Sequence, residues 1–173
     1  MQWYETIFRL IDMRSFSNLW FWIVLAVMWS TASHWIIGVP FDMVTRARKQ
    51  GGQAMADLEA ATGINTRRVL YVLRVSGSWL TGLSFFLLTS LLALGFFYGI
   101  EFAQALFLLL MPMTVVSALT LRAALRYERA PPEGHDLCRM LTFHRMKVQA
   151  LGMISIFITA MWGMWQNMRL DAF

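Results

Sequence analysis

Three histidines and one cysteine are the residues of this chain best suited to bind a haem or a metal ion. His34 and His144 fall near the ends of two apolar segments, at similar predicted depth, and two such imidazoles could bind a haem iron from opposite sides. The alternative is that each is a polar residue near a membrane interface with a hydrogen-bond partner. We favour the alternative and keep haem binding as a hypothesis, because His144 falls about one helical turn outside its apolar segment.

A second group of potential metal ligands consists of His135, Asp136, Cys138 and His144. Its spacing, His-x2-Cys-x5-His, does not match a structural zinc site, which takes four ligands in paired spacing, so we interpret the group as part of a polar loop. Because Cys138 is the single cysteine, an internal disulfide and an all-cysteine metal site are excluded. No glycine-rich phosphate loop and no Ser/His/Asp set in a plausible site is present, so we expect neither enzymatic activity nor a cofactor.

Composition and one long apolar stretch indicate a membrane protein. Of the 173 residues, 58% are hydrophobic and 14% are charged, whereas a soluble domain carries about 25% charged residues. Val75 to Tyr98 is an uncharged stretch of 24 residues. It is longer than the roughly 20 residues that a helix needs to cross the hydrocarbon of a bilayer.

The apolar segments predict an all-α membrane protein with four transmembrane helices in one membrane domain over residues 1–173. The spans are expected at about 18–38, 75–98, 102–121 and 148–165. Over residues 2–13, apolar side chains recur at helical spacing with charged residues between them, which predicts an amphipathic helix. We favour a helix lying on the membrane; the alternative is a helix packed on neighbouring subunits or on its own bundle. Other short amphipathic helices are expected at the membrane surface, within the segments that join the spans.

Local signals predict where the second and third spans begin and bend. A short helix is expected over Ala54 to Ala61 with Gly63 as its C-cap, followed by Asn65 as the N-cap of the long second span. Pro112 falls in the middle of the third span, where it removes one backbone hydrogen bond and is expected to kink the helix.

The Lys and Arg side chains predict the orientation in the membrane. Twelve of the fifteen fall in two segments, 39–74 and 122–147, and three fall on the other side. The positive-inside rule therefore makes the two segments cytoplasmic loops and places both termini in the periplasm of a bacterial inner membrane. We expect the charge to contact anionic lipid headgroups rather than nucleic acid. The candidate headgroup contacts are Arg46, Arg48, Lys49, Arg67, Arg68 and Arg74.

Small residues in the second span are candidates for close helix contacts. Gly95 and Gly99 form a GxxxG motif, which allows two helices to approach closely, although it falls at the very end of the span. Gly77, Ser78 and Gly82 are better placed for a helix contact. No Asp, Glu, Lys or Arg falls at mid-depth in any predicted span, which disfavours a proton-coupled carrier.

Five stretches of the chain resemble a family of small bacterial inner-membrane proteins often labelled "component of SufBCD complex". They are MRSFSNLWFWIVLAV, SHWIIGVPFDMV, GGQAMADLE, INTRRVLYV and EFAQALFLL. The resemblance covers roughly residues 1–127 and implies a membrane protein with no assigned functional residues. The label implies a connection with iron–sulfur cluster assembly.

Three functions follow as hypotheses. The first is a non-enzymatic membrane scaffold or accessory subunit that packs into a homo-oligomer or a larger membrane complex, favoured by the absence of a site and the abundance of aromatic contact surface. The second is a small channel or transporter, with the Pro112 kink and six hydroxyl side chains lining a path. Those side chains are Ser76, Ser78, Thr81, Ser84, Thr89 and Ser90. The third is a haem-binding membrane redox protein that uses His34 and His144.

Overall fold

The computed structural model describes Phe16 and residues 18–170, and about 90% of it is helical. The elements are α1 (Leu19–His34), β1 (Trp35–Ile36), β2 (Val39–Pro40), α2 (Phe41–Gln50), α3 (Gly52–Leu92), α4 (Glu101–Arg129) and α5 (Gly134–Leu170). A π-helical turn, Ala93–Phe97, continues α3. The amphipathic helix predicted at residues 2–13 lies outside the described residues.

Three of the helices are long and apolar enough to cross a membrane: α3 with its π-helical turn, α4 and α5. The prediction of a helical fold is confirmed, and these three helices have the length and the apolar composition that a membrane span requires. Helix α1 is apolar but has 16 residues, a length of about 24 Å, compared with a hydrocarbon thickness of about 30 Å. The structure therefore supports three spans by length, and α1 is shorter than the span predicted at 18–38.

Helix α1 ends at His34 because the chain turns there into a two-residue hairpin loop. Trp35 pairs with Pro40 and Ile36 with Val39, antiparallel. The loop residues between them, Ile37 and Gly38, have φ angles of 51° and 75°, as a type I′ hairpin turn requires. Glycine takes this conformation without strain, whereas Ile37 must be held in it by the packing of its buried side chain.

Helix α3 is continuous from Gly52, so the predictions of a separate helix over 54–61 and of caps at Gly63 and Asn65 are wrong. Gly63 lies inside the helix, where a Cβ atom would come within 3.6 Å of the Tyr127 hydroxyl. Asn65 donates from Nδ2 to the Ala61 carbonyl at 3.0 Å. Packing overrides the local signals, since the buried side chains of this half of α3 recur every fourth residue. They are Leu58, Thr62, Thr66 and Leu70.

The two segments predicted as cytoplasmic loops are almost wholly helical and pack on each other. Segment 122–147 belongs to two long helices, the end of α4 and the start of α5. Together with residues 35–74 it forms what we call the basic head, which has an apolar core of its own. This core is formed by Ile36, Ile37, Val39, Val44, Ala47, Leu58, Leu137, Cys138 and Leu141.

A second core lies between the apolar helices, away from the basic head. It joins α1 to α4 and α5 and includes Phe21, Leu25, Trp29, Leu109 and Val148. A Cβ atom on Gly152 would lie 2.8 Å from the Trp29 indole, so glycine allows α1 to pack closely on α5. Pro112 is buried inside α4, which continues without interruption from Glu101 to Arg129.

Candidate functional site

The apolar part of α3 packs less against the rest of the protein than the apolar parts of α4 and α5 do. Only 6% of its most apolar stretch is buried, compared with 33% for α4 and 28% for α5. Helix α3 does pack along α4, but its outer face is bare. Its exposed large side chains include Val75, Trp79, Leu83, Phe85, Phe86 and Leu87.

A groove of about 460 Å³ runs along this outer face. It is lined by Ser78, Trp79, Gly82, Leu83 and Phe86. Nothing lies within 4 Å of the position that a Cβ atom would take on Gly82. Trp79 is 85% exposed and Phe86 is 67% exposed. The face thus combines a depression at Ser78 and Gly82 with the projecting rings of Trp79 and Phe86. We call it the α3 groove face.

The predicted helix-packing residues fall into two groups. Among the described residues, a Cβ atom on Gly77 would meet only Leu73 of its own helix, with Cδ1 at 3.1 Å, and one on Gly82 would meet nothing within 4 Å. Ser78 is exposed. Gly95 is buried against α4, where a Cβ atom would lie 2.9 Å from the Gln104 backbone nitrogen. Gly99 lies in the turn between α3 and α4 with φ +73° and open space around it. The GxxxG motif therefore serves a turn and a contact within the chain.

Gln104 joins three elements at the end of the bundle far from the basic head. Its side chain is buried, with Nε2 donating to the Gly95 carbonyl at 2.8 Å. Its Oε1 accepts from Trp162 Nε1 at 3.0 Å and from Gln166 Nε2 at 2.8 Å. The π-helical turn, α4 and α5 are thereby tied together by a satisfied buried amide. Sequence reasoning missed this residue, although an isolated glutamine inside an apolar span is itself a signal.

Glu101 holds the segment before α1 at the same end of the bundle. Its Oε1 accepts from the Phe16 backbone N–H at 2.8 Å. Trp22 Nε1 donates to the Phe16 carbonyl at 3.1 Å. Both backbone groups of Phe16 are thus satisfied by side chains, and the start of α1 is fixed against α4.

The six predicted headgroup contacts lie on the basic head, in three different settings. Arg46 lies 3.5 Å from Asp42 on its own helix. Arg74 forms a bidentate pair with Glu128 of α4, at 2.7 and 2.8 Å. Arg48, Lys49, Arg67 and Arg68 are exposed, and no ion pair to them occurs within the part of the chain that the structure describes. These four remain available to an external anion.

The two histidines of the haem hypothesis do not contact each other in the described structure. His34 is exposed and its ring packs edge-on against Trp35. His144 is buried, with Nε2 3.3 Å from Thr120 Oγ1. Among residues 16 and 18–170, no three His, Cys, Asp or Glu side chains come together as a metal site. The arrangement offers no support for haem or metal binding.

Cys138 lies in the core of the basic head, 2% exposed. Its Sγ lies 4.0 Å from Met55 Sδ. Burial raises the pKa of the Cys138 thiol, and the nearby Arg48 guanidinium offsets part of that rise. A thiol of this kind is unreactive at neutral pH. Iron–sulfur clusters are commonly held by several cysteines, and this chain has one.

The hydroxyl side chains of the channel hypothesis lie mainly on the outside of α3. Ser78, Thr81 and Thr89 are exposed. Ser84 donates to the Leu80 carbonyl of its own helix at 2.7 Å. Within the described residues, Ser78, Thr81 and Thr89 therefore do not line a path enclosed by one copy of the chain.

Comparisons of this chain with protein-family models, with curated proteins and with solved structures find no match.

Proposed function

We propose that this protein is a non-enzymatic scaffold of a bacterial inner membrane that self-associates through the α3 groove face. The observation that carries the proposal is the 6% burial of the apolar stretch of α3, combined with the groove at Ser78 and Gly82. A helix that faces only lipid has no need of small residues on its exposed face. In membranes, small residues mark the positions where two helix backbones approach closely.

A second copy of the chain fits this face better than an unrelated helix does. Ser78 and Gly82 are four residues apart, so they lie one above the other and form the floor of the groove. Trp79 and Phe86 project beside that floor. A two-fold axis along the membrane normal would place the aromatic rings of one copy over the small residues of the other. Such self-complementarity is what an isologous dimer requires.

The proposal includes four spans with both termini in the periplasm. Helix α1 packs on α5 through Trp29 and Gly152, which places it beside a helix long enough to cross the membrane. The hairpin that follows α1 joins the basic head, where twelve Lys and Arg side chains lie in the two cytoplasmic segments.

Single-cysteine crosslinking tests the dimer directly. In a Cys138→Ser background, we expect Ser78→Cys to form a disulfide-linked dimer in native membranes treated with a mild oxidant. A matched control is Phe157→Cys on α5, which is also exposed, at 66%, but lies outside the α3 groove face. It should not crosslink. Equal crosslinking at both positions, or none at either, would contradict the proposal.

A disruption experiment complements the crosslinking. Gly82→Leu fills the groove and should lower the dimer association constant in liposomes about fivefold, since a membrane helix contact contributes about 1 kcal/mol. Ala118→Leu is the control, because Ala118 is exposed on α4 and gains the same kind of bulk. Single-molecule photobleaching measures the subunit number in each case. A monomeric wild-type protein would contradict the proposal.

A further inference from the structure

A second groove lies on the basic head, between the end of α2 and the first turns of α5. It has a volume of about 390 Å³. Its lining residues are Arg48, His135, Cys138, Arg139, Thr142, Phe143 and Met146. Cys138 is buried at its floor, whereas Arg48 and Arg139 are exposed. The groove thus brings together two cations that are far apart in the sequence.

The two arginines of the groove are free to bind an anion. In the described part of the chain, neither guanidinium takes part in an ion pair or a hydrogen bond. On the α3 side, Glu59 already accepts from the Gly134 backbone N–H through Oε1 at 2.7 Å. Glu133 and Asp136 lie close in sequence but form no ion pair with Arg139. Paired guanidinium groups are well suited to phosphate, because their N–H groups match its oxygens in geometry.

Polarity changes in one direction along the groove. His135, Arg139, Thr142 and Met146 follow each other at three- and four-residue spacing on α5, so they form one stripe of the helix. The stripe begins with a histidine and an arginine and ends with Phe143 and Met146, which are 57% and 58% exposed. From His135 to Met146 it is about 16 Å long. The apolar end leads to Val148, where the predicted membrane span begins.

We propose that this groove is a binding site for one anionic phospholipid molecule. The phosphate would lie between Arg48 and Arg139, and the first part of the acyl chains would lie on Phe143 and Met146. This site is more specific than a general attraction of basic residues to a charged membrane, and it does not depend on association through the α3 groove face. A free phosphate ion would share the arginine contacts but would leave the apolar end of the groove unused.

Lipid titration of the delipidated full chain in a non-ionic detergent, followed by native mass spectrometry, tests the site. We expect the first phosphatidylglycerol to bind at least about tenfold more weakly to the Arg48→Gln/Arg139→Gln variant than to the wild type, because the charge-assisted hydrogen bonds are lost. The control is Arg122→Gln/Arg126→Gln, which removes two exposed arginines elsewhere on the basic head that are not among the predicted headgroup contacts. It should bind within about twofold of the wild type. Equal weakening in both variants would show a general charge effect and overturn the proposal.

Competition separates a lipid from a soluble anion. Phosphatidylcholine and millimolar inorganic phosphate should each fail to displace the bound phosphatidylglycerol. Displacement by inorganic phosphate would assign the groove to a free phosphate and overturn the lipid assignment.

A labelling measurement does not depend on how well the arginine variants fold. In the Cys138→Ser background, Thr142→Cys places a thiol in the middle of the groove. Phosphatidylglycerol should slow its reaction with a maleimide at least about tenfold relative to phosphatidylcholine, because the bound lipid covers the groove. Equal labelling rates with the two lipids would contradict the proposal.

Discussion

Among single residues, Gln104 has the most consequence for the fold. It lies in an apolar helix, yet its amide makes three hydrogen bonds, to Gly95, Trp162 and Gln166. A buried amide without these partners would cost about 1–3 kcal/mol for each group left unsatisfied. The side chain therefore stabilises one arrangement of the π-helical turn, α4 and α5, since other arrangements would leave its polar atoms unpaired.

Gly95→Ala should destabilise the protein, because the new methyl group would lie 2.9 Å from the Gln104 backbone nitrogen. Either the π-helical turn or α4 must then shift, and overpacking of this kind costs about 1–3 kcal/mol. We expect a lower midpoint of thermal unfolding in detergent, measured by circular dichroism.

Gly82→Ala is the matched control for this substitution. Gly82 lies in α3 with nothing within 4 Å of the new methyl group, and alanine favours a helix over glycine by about 1 kcal/mol. Its unfolding midpoint should equal or exceed that of the wild type. If Gly95→Ala and Gly82→Ala had the same unfolding midpoint, the close contact at Gly95 would not contribute to stability and the prediction would be wrong.

Among the elements, α3 and α5 each run without a break from the basic head into the apolar helix bundle. Each is longer than a membrane crossing requires, with 41 and 37 residues. The starts of these two helices lie in the two segments predicted as cytoplasmic loops, beside β2, α2 and the end of α4. A further contact couples the two, because Glu59 of α3 accepts from the backbone N–H of Gly134, at the start of α5. A carboxylate in this position stabilises the helix start by a hydrogen bond and by the helix dipole.

Glu59→Gln should weaken the first turn of α5. The substitution keeps an acceptor oxygen but removes the negative charge at the helix N-terminus, which costs about 0.3–1 kcal/mol. We expect faster hydrogen exchange of the backbone amides over residues 134–140, measured by mass spectrometry, with little change in the membrane helices.

Asp57→Asn serves as the control for the loss of charge. Asp57 is exposed on the same helix and accepts only from Gln53 four residues earlier. In the Asp57→Asn variant, amide hydrogen exchange over residues 134–140 should match that of the wild type. Equally faster amide exchange in Glu59→Gln and Asp57→Asn would indicate an effect of the net charge of the basic head rather than the loss of the Glu59 cap.

For the whole molecule, the basic head is the feature that relates the fold to the membrane. Its two segments hold twelve Lys and Arg side chains around an apolar core of their own. The turn between α3 and α4 lies at the other end of the helices and contains no Lys or Arg. This asymmetry predicts the orientation, since positively charged segments remain in the cytoplasm.

Cysteine accessibility in intact spheroplasts tests that orientation. In the Cys138→Ser background, Tyr98→Cys should react with a membrane-impermeant maleimide from outside, because Tyr98 is 71% exposed beside the α3–α4 turn. Gln50→Cys and Glu133→Cys, which lie on the exposed surface of the basic head, should react only after permeabilisation. Labelling of Gln50→Cys from outside would reverse the orientation and would contradict the positive-inside assignment.

The sequence alone determined that the chain is an all-α protein with helices suited to a membrane, and it located three of them. Hydrophobicity is a local property, and an uncharged stretch such as Val75 to Tyr98 needs no partner to favour a bilayer. The uneven distribution of Lys and Arg among the segments is also a property of the sequence. The predicted orientation therefore depends on the sequence alone. The fourth span and the scaffold function remain predictions.

Only the tertiary structure decided where helices end, where they continue and which polar groups meet. Gly63 is a local signal for a helix end, yet it lies inside the continuous helix α3. The hairpin after His34 depends on the burial of Ile37 in a core shared with α5. Gln104, the Glu59 cap and the groove at Arg48 and Arg139 each join residues far apart in the chain. Local propensity carries no information about such contacts, because they arise only when separate segments pack.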